Sequence, residues 1–168
     1  MIKTNNTMIF IDYGNLYHNA KELKFEVDYG KLISLLGKNK NVIKATMYMG
    51  VIYPIKGPKI GWMRSLKRKY EIDVKYKYLQ ETPKGLKEKG VDVLLAIDML
   101  INAFENNYDI AVLLSGDSDF IPAVEKIQAL NKKVELWCFK DSVAWQLRCK
   151  VQKKNVKYLN KVIEKIKK

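Results

Sequence analysis

Cysteine, histidine and long apolar runs are all scarce in this chain of 168 residues. Its two cysteines, Cys138 and Cys149, are too few for a disulfide framework and too far apart for a metal knuckle. They read as idle thiols of a reducing cytosol. A single histidine excludes metal-free RNA cleavage of the two-histidine type, and His18 reads as an ordinary helix position. No stretch approaches the roughly 18 apolar residues of a membrane helix. The longest candidate, Val91 to Ile101, is interrupted by Asp92 and Asp98. One lysine precedes the first apolar run, which Asp12 stops, and that is not a secretory signal. The expectation is a cytoplasmic protein with no membrane partner.

Phosphate-binding glycine loops are missing as well. Neither G-x-x-x-x-G-K-[ST] nor G-x-G-x-x-G occurs, so nucleoside triphosphate and dinucleotide binding are not indicated. Gly14 stands where haloacid dehalogenase-like phosphatases need a second aspartate, and Asp12 alone lacks the paired acids of a receiver domain. There is no internal repeat and no low-complexity segment.

What is present is acid at the ends of apolar runs. Thr7-Met8-Ile9-Phe10-Ile11 leads into Asp12-Tyr13-Gly14-Asn15, and Ile110-Ala111-Val112-Leu113-Leu114 leads into Ser115-Gly116-Asp117-Ser118-Asp119. Short apolar runs bounded by turn residues read as buried parallel strands, and ligands bind at the carboxyl ends of such strands. Strands are expected at about 7–12, 43–50, 72–79, 109–115 and 133–139. Helices are expected at about 14–23, 28–37, 59–70, 89–106, 119–131 and 142–149. The alternation predicts an α/β fold with helices on both faces of a parallel sheet. The helix from Lys89 carries a wide apolar face and reads as central and well buried. The least ordered stretch is expected at about 80–87, around Pro83 and Gly85.

If the two strands are neighbours, Asp12 and Asp117 face each other across a crevice, with Asp92 supplied from the start of the Lys89 helix. Like charges so placed need a cation between them. Three carboxylates with the amide of Asn15 suit oxygen ligation of magnesium or manganese. Asp119 reads first as a helix cap and second as a ligand. Asp98, six residues after Asp92, points about 120° away and stays outside the set.

The charge balance adds a polyanionic partner. Thirty-one Lys+Arg against 18 Asp+Glu give +13 and a pI near 9.6. Lys56–Lys89 carries a surplus of 7 and Leu147–Lys168 a surplus of 8, so the remainder is slightly acidic. A basic periphery around an acidic centre suits a metal-dependent enzyme acting on nucleic acid. Lys56, Lys59, Arg64, Lys67, Arg68 and Lys69 are candidates to hold phosphates. Trp62 and Tyr70 either stack unpaired bases or fill the core.

Phe10-Ile11-Asp12-Tyr13-Gly14-Asn15-Leu16-Tyr17, Lys89-Gly90-Val91-Asp92-Val93 and Leu114-Ser115-Gly116-Asp117-Ser118-Asp119-Phe120 resemble the three signature segments of the NYN domain, and more narrowly its LabA-like branch. The resemblance covers roughly residues 7–150. It implies a PIN-like Rossmannoid fold with sheet order 3-2-1-4-5. It also implies a nuclease domain over 1–150, with 151–168 a basic extension packed on it or trailing from it. By the same match Asp12, Asp92 and Asp117 are the catalytic and metal-binding acids. Asp119 is a further metal ligand, and Asn15 and Ser115 are supporting residues. Tyr13 departs from the small residue of many relatives and could crowd the cleft or stack on a base. The expected activity is magnesium- or manganese-dependent hydrolysis of RNA, single-stranded RNA favoured and DNA open, leaving 5′-phosphate and 3′-hydroxyl ends. The alternatives are a weakly active or inactive RNA-binding module, or a homo-oligomer whose basic tail binds a partner protein.

Overall fold

Alternation along the first apolar run builds the middle of the protein. In β1 (Asn6–Asp12), Ile9 and Ile11 face one core cluster while Met8 and Phe10 face the other. The computed structural model describes residues 5–168, so residues 1–4 of the expected 1–150 domain lie outside the described residues. The chain continues through α1 (Tyr13–Glu22), α2 (Tyr29–Leu36), β2 (Asn41–Val51), α3 (Gly57–Tyr70) and β3 (Ile72–Tyr78). A hairpin of β4 (Gln80–Thr82) and β5 (Gly85–Lys87) precedes α4 (Val91–Phe104) and β6 (Ile110–Leu114). The remaining elements are α5 (Ile121–Ala129), β7 (Lys133–Cys138), α6 (Trp145–Lys150) and β8 (Val156–Tyr158).

Six parallel strands form one sheet in the order β3-β2-β1-β6-β7-β8. The expected five-strand order is present within it, and β8 adds a sixth strand beyond β7. Helices α1, α2 and α3 pack Leu16, Leu32, Leu36 and Leu66 on one face. Helices α4, α5 and α6 pack Leu95, Met99, Ile127 and Leu147 on the other. The strand order reverses between β1 and β6, and there the two βα connections part. Ile11 is in register with Leu114, so Asp12 and Ser115 leave the sheet at the same level.

Three expectations change. Residues 80–87 form the β4–β5 hairpin, because Gly85 adopts φ +107°, which a tight turn between short strands requires. The helix expected at 119–131 divides into a 3₁₀ turn at Ser118–Phe120 and α5, with Pro122 in the first turn of α5. Helix α4 buries only Val91, Leu95, Met99 and Ala103, while Val93, Ile97, Ile101 and Phe104 face solvent. It is a half-buried helix on an outer layer rather than a central one. In the segment after Lys150, for which packing is one of the two expected arrangements, Leu159 and Ile166 are fully buried, and Asp28 donates its backbone N–H to the Ile166 carbonyl at 2.7 Å.

Candidate metal centre

Asp12 ends β1 and caps α1. Its Oδ1 accepts the Asn15 N–H at 3.0 Å, and its Oδ2 accepts the Ser115 hydroxyl at 2.7 Å. The same hydroxyl oxygen accepts the Asp117 N–H at 3.2 Å, so Ser115 ties the end of β1 to the loop after β6. Gly116 lets that loop lie flat. A Cβ there would come within 3.0 Å of the Ser142 carbonyl and of Val143 Cα, both backbone, and the Gly116 carbonyl accepts the Ala144 N–H at 2.9 Å. Asp117, not Asp119, is the cap of the turn that follows, accepting the Asp119 N–H at 2.9 Å. That frees the Asp119 carboxylate. On the third element, Gly90 adopts φ +77° and starts α4 so that Asp92 falls in its first turn.

Carboxylate oxygens of Asp92, Asp117 and Asp119 lie within 4.8 Å of one another. The expected trio of Asp12, Asp92 and Asp117 therefore differs from the group that converges most closely. Asp12 is 5% exposed, and its two oxygens each accept one hydrogen bond, which leaves each a lone pair for a cation. It remains close electrostatically. Burial first, and then the charges of Asp12, Asp117 and Asp119 in that order, push the Asp92 carboxyl up to about 6. Burial likewise raises Asp12, opposed by its bonds to Asn15 and Ser115 and reinforced by Glu88 and Asp117.

The sequence reading missed Glu88. It sits just before α4, accepts the Gly50 N–H at 2.8 Å through Oε2, and adds a further negative charge beside Asp12. Its only signal in the sequence is an acid four residues before Asp92, inside a run of lysines. Asp98 lies where the angular argument placed it: it accepts from the Tyr48 hydroxyl at 2.8 Å and pairs with Lys75, away from the cluster.

The donor set tests whether a cation fits. Among the described residues, no lysine or arginine pairs with Asp12, Asp92, Asp117 or Asp119, although eight other acid–base pairs form. Asn15 Oδ1 is a buried acceptor with no hydrogen-bond donor. Clustered carboxylates without counter-charge and an unfilled amide oxygen suit a hard, oxygen-seeking dication.

A stability prediction follows from Asp92. Its carboxyl sits near 3.9 in an unfolded chain and at about 6 here. Between those values the folded state holds a proton that the unfolded state has lost, so without divalent cation stability falls as pH rises from about 4 through about 6. Asp92→Asn is expected to flatten that slope and to melt no lower than the parent chain at pH 7. Thermal melts in excess chelator between pH 4 and 7 check it.

The six basic candidates do not form one surface. Lys59, Trp62, Leu66 and Tyr70 share the inward stripe of α3 at three- and four-residue spacing. Arg68, nine residues after Lys59, lies about 180° around the helix, and Arg64 about 140° around it. Lys67 is paired with Asp73 at 2.7 Å. Lys56 precedes α3, and Lys69 is exposed near its end. Lys59 is half-buried, with its ammonium 4.8 Å from the Tyr13 ring centroid and 4.1 Å from that of Trp62. Trp62 and Tyr70 pack at the margin of the core.

With the geometry in place, comparison with known proteins decides the family. The NYN domain model matches residues 6–157. The chain belongs to the NYN domain family. NYN domains are members of the PIN-like nuclease superfamily, generally nucleases that use divalent metals, which makes nucleic acid the expected substrate class. A crystal structure of a protein of unknown function from Vibrio parahaemolyticus is similar in fold, at TM-score 0.77 and 23% identity over 95% of each chain. A ferredoxin–NADP+ reductase from Plasmodium falciparum matches at TM-score 0.25 and 15% identity over 92% of this chain and 51% of that one, too distant in shape to carry an argument. Comparison with curated proteins gives no match. No helix among the described residues is long and apolar enough to cross a membrane.

Proposed function

We propose that this NYN domain protein is a cytoplasmic, divalent-metal-dependent endoribonuclease of the LabA-like branch, acting on single-stranded RNA. The observation that carries the reading is the set of unpaired acids. In a chain of net charge +13, four aspartates from the end of β1, the start of α4 and the connection after β6 have no basic partner among the described residues, while Asp98, on the same helix as Asp92, does. Desolvating that much like charge costs several kcal/mol in general, so an uncompensated cluster points to a bound cation in the working state.

Asp12, Asp92, Asp117 and Asp119 would hold magnesium or manganese between them, with Asn15 beside them. Such an ion supplies a water of lowered pKa and positive charge for the oxygens of a phosphodiester. The protein's own part is positional. Ser115 holds Asp12 and the Asp117 backbone in one hydrogen-bonded unit, and Gly116 allows the loop to approach Ser142 and Val143. Gly90 sets where α4 begins and therefore where Asp92 stands. Lys59, beside Tyr13 and so one residue from Asp12, is the cation placed to meet a phosphate entering the site.

The test is incubation of purified protein with matched single-stranded RNA and DNA, in magnesium, in manganese and in excess chelator. The expected result is RNA cleavage in either metal, leaving 5′-phosphate ends, and none in chelator. Full activity in chelator would sink the metal site. Tight RNA binding without cleavage in any metal would make the chain an RNA-binding module of the same fold.

A further inference from the structure

On the α1–α3 side of the sheet, a cavity of about 440 Å³ opens between α1, Tyr29 and Trp62, and Tyr13, the residue after Asp12, forms part of its wall. Its size falls within the roughly 300–1,000 Å³ of small-molecule sites. Aromatic rings make up much of its wall, and the Glu26–Lys168 ion pair, at 2.7 Å, lines it as well. Tyr13 lies 5.6 Å from Tyr17 with the rings 24° apart, and Trp62 lies 5.5 Å from Tyr13 and 5.8 Å from Tyr29.

Core packing does not account for Tyr17. The buried residues of α1 are Leu16 and Ala20, and Tyr17 is 46% exposed. Its ring is nonetheless held in place, stacked on Tyr13 and in edge contact with His18 at 5.6 Å. A flat ring immobilised at the surface can take a second ring with little further loss of side-chain freedom. The hydroxyls point the same way. Buried Tyr48 and Tyr108 bond theirs to Asp98 and to the Met99 carbonyl. Tyr13, Tyr17 and Tyr29 make no such bond among the described residues.

Charge and position name the ligand. Lys21 lines the cavity and Lys59 stands over the Tyr13 and Trp62 rings, neither with a carboxylate partner among the described residues. Tyr13 follows Asp12 directly, and Tyr17 is one helical turn, about 6 Å, further along α1. A strand with one phosphate at the acidic cluster therefore brings a neighbouring base to the mouth of this cavity. We infer that the cavity takes one unpaired nucleobase, stacked on Tyr17 and walled by Trp62 and Tyr29, next to the phosphate at the Asp92–Asp117–Asp119 cluster. This rests on the nuclease reading above and deepens it: a base paired within a duplex cannot enter, so the substrate must be single-stranded at that position.

The experiment is binding of a short single-stranded RNA carrying one 2-aminopurine, in calcium, an oxygen-seeking dication that offsets the charge of the acidic cluster, with the length of the RNA checked after each measurement. The parent chain is expected to quench the fluorophore. Tyr17→Leu, which keeps apolar bulk at a site outside the core, should lose the quenching and bind about 5- to 150-fold more weakly. Tyr17→Phe should retain both. An RNA of the same length with abasic positions should bind the parent chain as weakly as Tyr17→Leu binds the intact RNA, with no further loss in that variant. Equal affinity and equal quenching in the parent chain and Tyr17→Leu would overturn the pocket, as would no binding by the parent chain. Cleavage by the parent chain in magnesium, followed in parallel, separates the two readings. Cleavage with unchanged Tyr17→Leu binding removes the pocket alone, whereas pocket-dependent binding without cleavage keeps the pocket and removes the nuclease.

Discussion

Asp117→Asn is expected to lower the rate of RNA cleavage by at least about 10²-fold while leaving the fold intact. Asparagine keeps an oxygen that can accept the Asp119 N–H, so the turn at Ser118–Phe120 retains its cap. It removes one negative charge from the three carboxylates that converge within 4.8 Å, and with it a ligand for the cation. Asp98→Asn is the matched control. It changes the same group, but in a side chain bound to Tyr48 and Lys75 on another face of α4, and its effect on cleavage should be small. Single-turnover rates in magnesium, read beside melting temperatures for each variant, check both. Equal loss at the two positions would mean that the cluster is not where the chemistry occurs.

Removal of the residues after Lys150 is expected to abolish cooperative unfolding. The excised segment contributes β8, which hydrogen-bonds to β7 over Leu136–Cys138, and the fully buried Leu159 and Ile166. It also takes away the Ile166 carbonyl that holds the Asp28 N–H at the start of α2. Truncation of one buried leucine or isoleucine to alanine costs about 2–5 kcal/mol, against a total of about 5–15 for an ordinary domain. Losing both with a sheet strand therefore exceeds the margin. Leu159→Ala alone should fold but melt markedly lower, by about 2–5 kcal/mol in chemical denaturation. A truncated chain that melts like the parent would show that the segment trails from the domain and carries none of its stability.

The acidic centre was legible because strand ends announce themselves. Ile11 to Asp12 and Leu114 to Ser115 are abrupt changes from apolar to polar, and in a parallel sheet such changes mark the edge where ligands bind. Asp98 could be set aside from helix geometry alone. The division of labour within the acidic set could not be read this way. Which of Asp117 and Asp119 caps the turn, and which groups Asp12 accepts from, depend on the backbone around each residue. Glu88 was invisible because its partner, the Gly50 N–H, lies 38 residues away on another strand.

Composition and local pattern determined the α/β class, the positions of five strands, the aspartates at the strand ends and the basic balance of the surface. Each of these follows from periodicity or charge within a window of a few residues. The tertiary structure decided what depends on distant segments meeting. It released Asp119 from capping, tied Asp12 to the Ser115 hydroxyl, turned 80–87 into a hairpin and left one side of α4 in water. It also scattered the lysines of α3 around the helix, so that of that group Lys59 alone stands beside Tyr13. The physical reason is common to all of them: a side chain's charge is written in the sequence, but its partner is chosen by whatever the fold brings within about 3–4 Å.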